Sequence, residues 1–250
     1  MCNNPDKAAL LWNSSGKHKE IEMEVGGETL KSTESEKLLG VVINSNLDWS
    51  THVDNLCSTL KKRISLLRRI KERVNSEKLD MISDAIFTSK LRYGIAVYSN
   101  PKFEFNNMEQ AMDPNIVKLQ VIQNDLLRMQ MGHTLKNHTN MQKLRESKKI
   151  MSVNQISCYH VAIEMFNVIN NSSSKSIQEN LKMVERGYSL RSLEDGQVKV
   201  PIKGKKSCQG FSYIGPKLWN YLPKEIRTTT KIDPFKSKLK EWIWSHIPSI

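Results

Sequence analysis

Residues 53–73 read "VDNLCSTLKKRISLLRRIKER", and this stretch decides the structural class of the middle of the chain. Its apolar residues recur at every third or fourth position, which places them on one face of an α-helix. They are Val53, Leu56, Leu60, Ile64, Leu67 and Ile70. The pattern therefore predicts a long amphipathic helix.

The remaining faces of this helix are strongly basic. They carry Lys61, Lys62, Arg63, Arg68, Arg69, Lys71 and Arg73, and the single acid among them is Glu72. The whole chain of 250 residues has 38 Lys and Arg against 26 Asp and Glu, a net charge of +12. Such an excess attracts polyanions, nucleic acid first among them. Many basic proteins bind no polyanion, however. Charge alone therefore does not distinguish a nucleic-acid-binding surface from a basic surface that is only solvated.

Further helix signals follow along the chain. A side-chain acceptor suited to capping a helix stands at Asn75 or Ser76, at Asp113 and at Asp233, and proline follows the last two. Gly132 is placed to end the helix that begins at Asp113, and the apolar run 153–169 predicts a central helix. The stripes expected to face inward are Leu79, Ile82 and Ile86; Ile116, Leu119, Ile122 and Leu126; and Phe235, Leu239, Trp242 and Ile243.

The first fifty residues have a different pattern. "EIEMEV" at 20–25 alternates acidic and apolar residues, which predicts a strand with Ile21, Met23 and Val25 on one face. Gly26-Gly27 predicts a hairpin turn. "LLGVVI" at 38–43 is continuous and β-branched, as in a more buried strand. The predicted fold class is therefore mainly α with a small N-terminal β hairpin or sheet (α+β).

The cysteines and the apolar segments indicate the cellular compartment of the protein. Cys2, Cys57, Cys158 and Cys208 form no CxxC motif, so neither a zinc ribbon nor a redox pair is predicted. Reduced thiols are the simplest interpretation. The pattern predicts neither a signal peptide nor a membrane-spanning helix. We expect an intracellular protein, cytoplasmic or nuclear, with no membrane partner.

Two pairs of residues could form a metal-binding or catalytic site. Asp80 and Asp84, four residues apart on a predicted helix, could share a cation, although a solvated face is the more common meaning of that spacing. Cys158 and His160 could pair as nucleophile and base, but positions two apart on a helix do not face each other. We expect no catalytic residue, no metal site and no cofactor.

The stretch "GFSYIGPKLWNYLPKEIR" at 210–227 combines aromatic and basic residues. Aromatic rings beside cations can stack unpaired bases. The aromatic residues are Phe211, Tyr213, Trp219 and Tyr221, and the cations proposed to contact nucleic acid are Lys205, Lys206 and Lys217. The alternative is that Phe211, Trp219, Leu222 and Ile226 pack onto the last helix, and the large burial energies of Trp and Phe favour packing.

Several segments, taken in order, resemble the downstream part of a non-LTR (LINE-type) retrotransposon reverse transcriptase. "NPDKAALL" at 4–11 is similar to the "N..KT" segment of that family, with Lys7 at its lysine and Ala8 in place of its threonine. "KLLGVVINSNLDWSTHV" at 37–53 resembles the primer-grip hairpin and the entry to the thumb. "SKLRYGIAVY" at 89–98, "KLQVIQNDLLRM" at 118–129, and 210–227 followed by "PFKSKLKEWI" resemble thumb and C-terminal segments.

The resemblance implies a division of the chain and a set of site residues. A palm remnant with a primer-grip-like hairpin would occupy residues 1–47, a thumb-like helical domain 48–135, and a C-terminal helical region 136–250. Leu39, Gly40 and Val41 would lie near the primer end, and Lys7 would match the family's lysine.

The same resemblance also implies what the chain lacks. The family is an RNA-directed DNA polymerase whose aspartates hold magnesium, and this sequence contains no Asp-Asp pair. We therefore expect a truncated, non-catalytic fragment of a transposable-element enzyme. Magnesium is expected only for an intact parent polymerase.

Three hypotheses follow. In the leading one, the basic helix binds RNA or DNA, as a template-primer duplex, through phosphates and with little regard to sequence. In the second, the chain is a helical scaffold that binds proteins through an exposed apolar surface. In the third, it is the downstream half of a split polymerase with a separately encoded palm. The oligomeric state stays open.

Overall fold

The structure is a computed structural model that describes residues 8–12, 20–104, 112–132, 140–180, 196–201 and 210–247. It is 63% helical, and its described residues include five strands in two small sheets near the N-terminus. The predicted fold class is confirmed. The chain divides into two compact units, residues 1–59 and 60–250. The expected three-part division at 47 and 135 stays a prediction.

The strands lie in the first unit. They are β1 (Leu10–Leu11), β2 (Glu22–Val25), β3 (Glu28–Thr33), β4 (Ser35–Leu38) and β5 (Val41–Asn44). In the first sheet β3 lies in the middle, antiparallel to β2 and parallel to β1. The second sheet is the antiparallel hairpin of β4 and β5, in which Leu38 pairs with Val41.

The turn predicted at Gly26-Gly27 is confirmed. Both glycines have positive φ, 64° and 88°, and Val25 pairs with Glu28 across them. A two-residue turn of this kind matches the right-handed twist of the strands that it joins, and glycine adopts positive φ without a steric penalty.

The continuous buried strand predicted for 38–43 is wrong. Leu39 and Gly40 have φ of 48° and 82°, so the chain reverses between them and separates β4 from β5. Leu38 is 61% exposed and Leu39 82% exposed. This run of five apolar residues and one glycine therefore contains a turn, because Gly40 accepts the left-handed conformation that the turn requires.

The amphipathic helix predicted from Val53 onward is confirmed as α1 (Ser50–Ile70). Ahead of it, the Asp48 carboxylate accepts a hydrogen bond from the backbone N–H of Ser50 at 3.0 Å. Near its start, His52 Nδ1 accepts a 3.2 Å bond from the backbone N–H of Val42 in β5. Of the predicted apolar stripe, all members but Ile70 are buried.

The rest of the described chain is helical. A 3-10 turn (Lys71–Arg73) follows α1, and a π-helical turn (Asp84–Thr88) joins α2 to α3. The helices are α2 (Ser76–Ser83), α3 (Ser89–Arg92), α4 (Ile95–Tyr98), α5 (Pro114–Met131), α6 (Met141–Lys148), α7 (Val153–Ile169), α8 (Lys175–Asn180), α9 (Phe211–Tyr221), α10 (Lys224–Arg227) and α11 (Ile232–His246).

Two of the predicted helix starts are confirmed and one is wrong. The Asn75 side chain caps α2 and the Asp113 side chain caps α5, which ends at Gly132 with φ of 74°. The last helix, α11, begins at Ile232 rather than after Asp233. Pro234 is accommodated in its first turn, where a backbone N–H has no intrahelical acceptor.

The main core lies in the second unit around α7. Helices α9 and α11 pack against it, and the rings of Phe166, Trp219 and Phe235 form a stack with centroids 4.4 and 5.8 Å apart. The Met165 side chain of α7 packs directly against Gly215 of α9, where a Cβ atom would lie 2.6 Å from the Met165 sulfur. The apolar stripe predicted for α11 is buried in this core.

Candidate nucleic-acid interface

Five cations of the predicted basic surface are exposed, and we call them the basic ridge. They are Lys61, Lys62, Arg68, Arg69 and Arg73. The first four lie on α1 and Arg73 ends the 3-10 turn after it. Within the part of the chain that the structure describes, none of the five forms an ion pair.

The spacing of the ridge follows from the geometry of the helix. Lys61 and Arg68 are seven residues apart, as are Lys62 and Arg69, so each pair lies about two turns apart on the same side. At about 1.5 Å rise per residue, the ridge from Lys61 to Arg69 is about 12 Å long. That length spans about three successive phosphates of one strand of a duplex, at about 3.4 Å of axis per phosphate.

The ridge contains little that would neutralise it. Between its two halves lie Ser65 and the exposed apolar side chain of Leu66, and Glu72 is the acid nearest in sequence. The apolar side of the same helix is held in place by Leu60, Ile64 and Leu67, which are buried. The packed stripe therefore fixes which side of α1 presents its cations to solvent.

Two of the seven predicted contact residues on this segment have partners inside the protein. The guanidinium of Arg63 donates to the backbone carbonyl of Ile86. Lys71 Nζ donates to the carbonyl of Met129 at 2.6 Å. Both side chains are only partly exposed. The structure thus brings five of the seven cations together at the surface. Of the other two, Arg63 joins α1 to the π-helical turn and Lys71 joins the 3-10 turn after α1 to α5.

The spacing contains a signal that separates Arg63 from the ridge. Arg63 is four residues before Leu67 and seven before Ile70, so it lies beside the apolar stripe. A cation at that edge extends its apolar stem over the core and reaches a backbone carbonyl. Lys71 lies beyond the last α-helical residue, where this spacing argument no longer applies.

The second predicted site, around 205–221, is arranged mainly for packing. Trp219 is 1% exposed and its indole N–H donates to the carbonyl of Gly196 at 2.9 Å. Leu222 and Ile226 are also buried. This confirms the packing interpretation for these three residues. Tyr221, 39% exposed, is the most open aromatic ring of the stretch.

Lys217 is neutralised locally. Its Nζ atom lies 3.1 Å from a carboxylate oxygen of Glu104 and 5.7 Å from the centroid of the Tyr213 ring. Lys205 and Lys206 lie outside the described residues. Because Glu104 pairs with Lys217, the positive charge of Lys217 is less available to nucleic acid than the charges of the ridge cations, which form no ion pair among the described residues.

The residues matched to the primer grip lie at the β4–β5 turn. Leu39 and Gly40 form the turn and Val41 begins β5. They belong to the first unit, whereas the ridge belongs to the second. Lys7 lies outside the described residues.

The two aspartates weighed as a cation site face protein cations. Asp80 accepts hydrogen bonds from Lys148 Nζ at 2.9 and 3.1 Å and from Gln130 Nε2 at 2.8 Å. Asp84 forms an ion pair with Arg92 at 3.8 Å. The described residues contain no group of three or more His, Cys, Asp or Glu that could hold a metal ion together.

Cys158 and His160 form no nucleophile–base pair. The Cys158 side chain is fully buried, and this burial raises the pKa of its thiol, so the nucleophilic thiolate is disfavoured. Burial, and secondarily the positive charge of Arg92, lowers the pKa of His160. These shifts are those of core residues rather than of an activated nucleophile and its base.

Comparisons of the chain with protein-family models, with curated proteins and with solved structures found no match. Among the described residues, no helix has both the length and the apolar composition needed to cross a membrane.

Proposed function

We propose that this chain is a non-catalytic, nucleic-acid-binding fragment of a non-LTR retrotransposon reverse transcriptase. The observation that carries the binding part is the basic ridge, five exposed cations without an ion-pair partner among the described residues. The family part rests on the ordered sequence resemblance, from "KLLGVVINSNLDWSTHV" to "LWNYLP".

Binding through such a ridge is dominated by phosphates. Lysine and arginine side chains displace condensed counterions from nucleic acid, and this supplies affinity without reading base edges. The ridge residues project from a helix whose opposite side is packed, so their backbone positions are set before binding. We therefore infer sequence-tolerant binding with a strong dependence on salt.

The non-catalytic part of the proposal rests on chemistry. Nucleotide transfer by two metal ions requires clustered carboxylates that hold the attacking and leaving oxygens. The sequence has no Asp-Asp pair, and Asp80 and Asp84 are engaged by Lys148 and Arg92. The chain would bind a template-primer duplex without extending it.

The test compares two variants of equal charge by fluorescence anisotropy, with labelled duplex DNA, RNA–DNA hybrid and single strands. The ridge variant replaces Lys61, Lys62, Arg68 and Arg69 by Gln. The control variant replaces Lys78, Lys143, Lys175 and Lys199 by Gln. These lysines are also exposed, but they lie apart from one another in the sequence.

The proposal predicts that the ridge variant loses about a hundredfold in affinity for the duplex, whereas the control variant loses less than about tenfold. Circular dichroism establishes that both variants are folded. Equal losses for the two variants would mean that net charge rather than the ridge causes binding. Association with proteins that persists at high salt, without nucleic-acid binding, would favour the scaffold alternative.

A further inference from the structure

A cavity of about 450 Å³ lies within the second unit, between the segment Ser76–Arg92, helix α5 and the turn that joins α6 to α7. Its volume is within the range of pockets that bind small organic molecules, about 300–1,000 Å³. Several of the lining side chains are apolar and buried, among them Phe87, Leu126 and Leu127. No residue of the basic ridge lines it.

Charged side chains from five different helical segments line the same cavity. The cations are Arg92 of α3, Lys148 of α6, Lys149 after it and Lys240 of α11; the anions are Asp80 and Asp84. Four positive charges against two negative ones leave an excess of two positive charges. This excess favours an anionic ligand.

The excess positive charge of the cavity comes mainly from Arg92, Lys149 and Lys240. Lys148 is paired with Asp80 at 2.9 Å, so this pair is locally neutral. Arg92 lies 3.8 Å from Asp84, which is beyond the length of a hydrogen bond and leaves guanidinium N–H groups able to donate to a ligand. Lys149 and Lys240 are exposed, and no described carboxylate forms an ion pair with either.

We propose that this cavity binds a small organic phosphate of about the size of a mononucleotide. A phosphate dianion matches the two excess positive charges, and arginine together with lysine is a common phosphate-binding combination. The Thr88 hydroxyl also lines the cavity and can hydrogen-bond to a polar ring or sugar, whereas the side chains of Ser83, Gln123 and Gln130 donate to Leu79, Met151 and Asp80. The proposal is independent of nucleic-acid binding by the ridge.

The probes are AMP, adenosine and inorganic phosphate, each titrated into the full chain by calorimetry and by saturation-transfer NMR. We expect AMP to bind with a submillimolar Kd. Adenosine lacks the charged phosphate and inorganic phosphate lacks the nucleoside, so each should bind at least about tenfold more weakly than AMP. AMP and adenosine binding equally well would overturn the role of the cations.

A variant with Lys149→Gln and Lys240→Gln alters only exposed side chains and leaves the apolar lining residues of the cavity unchanged. It should weaken AMP binding about fivefold, the loss expected from two exposed charge contacts. The matched control, Lys143→Gln with Lys175→Gln, removes the same charge from exposed positions outside the cavity and should bind AMP as the parent does.

Two outcomes would refute the proposal: no AMP binding at millimolar concentration by a folded chain, or equal weakening in both double variants. The ridge variant should keep AMP binding. Loss of duplex binding in that variant, with AMP binding retained, separates this site from the proposed nucleic-acid interface.

Discussion

The Nζ atom of Lys71 donates a 2.6 Å hydrogen bond to the backbone carbonyl of Met129, in the last turn of α5. The same carbonyl accepts the backbone N–H of Gly132 at 3.3 Å, and the last carbonyl groups of a helix carry partial negative charge, so a lysine there stabilises the helix end. The bond joins the 3-10 turn after α1 to α5. It gives Lys71 a structural role that its sequence neighbours in the ridge do not have.

Replacing Lys71 by Gln should therefore lower the free energy of unfolding by about 1 kcal/mol, the typical net value of one such hydrogen bond. The measurement is urea unfolding followed by circular dichroism. Lys61→Gln is the control, since an exposed ridge lysine should change stability by less than about 0.5 kcal/mol. Equal stability of the two variants would refute the structural role of Lys71.

The aromatic residues of the 210–227 stretch should differ sharply in their effect on stability. Trp219→Ala should cost about 3–5 kcal/mol, because the ring is buried against Phe235 and leaves a cavity when removed. Tyr221→Ala should cost clearly less, because 39% of that residue is already exposed. Thermal unfolding of both variants checks this, and a larger loss at Tyr221 would contradict the packing of α9.

A methyl group added at Gly215 should destabilise the contact between α7 and α9. The new Cβ would lie 2.6 Å from the Met165 sulfur, and both residues are buried, so Gly215→Ala should cost about 1–3 kcal/mol. In a Met165→Ala background the same change should cost little or even stabilise, because the methyl then fills vacated space. A double-mutant cycle measures this coupling, and additive effects would show that the two helices do not meet there.

Stability should also depend on pH through His160. Its folded-state pKa is lowered from 6.5 by burial and by Arg92, so the unfolded chain takes up a proton at a higher pH than the folded chain does. Its contribution is therefore neutral well above pH 6.5 and becomes destabilising as pH falls below that value. His160→Gln should lose less stability than the parent between about pH 7.5 and about pH 5.5. Parallel pH profiles of unfolding free energy would contradict this.

Much of the helical framework could be predicted from the sequence because its signals are local. The spacing of Val53, Leu56 and Leu60 predicted α1, and the Asp113-Pro114 start and the Gly132 end predicted α5. Caps and apolar periodicity depend on residues within a few positions of one another. The continuous apolar run at 38–43 predicted a single strand and concealed the β4–β5 turn, whereas the resemblance to a primer-grip hairpin at 37–53 implied a reversal in this segment.

The candidate sites were less predictable, because side-chain partners far apart in the sequence decide them. Nothing near Lys217 in the sequence indicates that Glu104 pairs with it, and nothing near Lys71 indicates the carbonyl of Met129. The cavity at Arg92 gathers residues from segments as far apart as α2 and α11, and Lys240 is almost 150 positions away from Arg92. Only packing of the whole second unit brings them together.

The most direct test of the account is the salt dependence of duplex binding by the parent chain and by the ridge variant. If the five ridge cations displace counterions, the plot of log affinity against log salt has a slope of about −4 to −5, whereas the variant, which keeps Arg73, has a slope of about −1. That result would locate the phosphate contacts on α1. Equal slopes for the two proteins would contradict the account, because the contacts would then lie elsewhere on the chain.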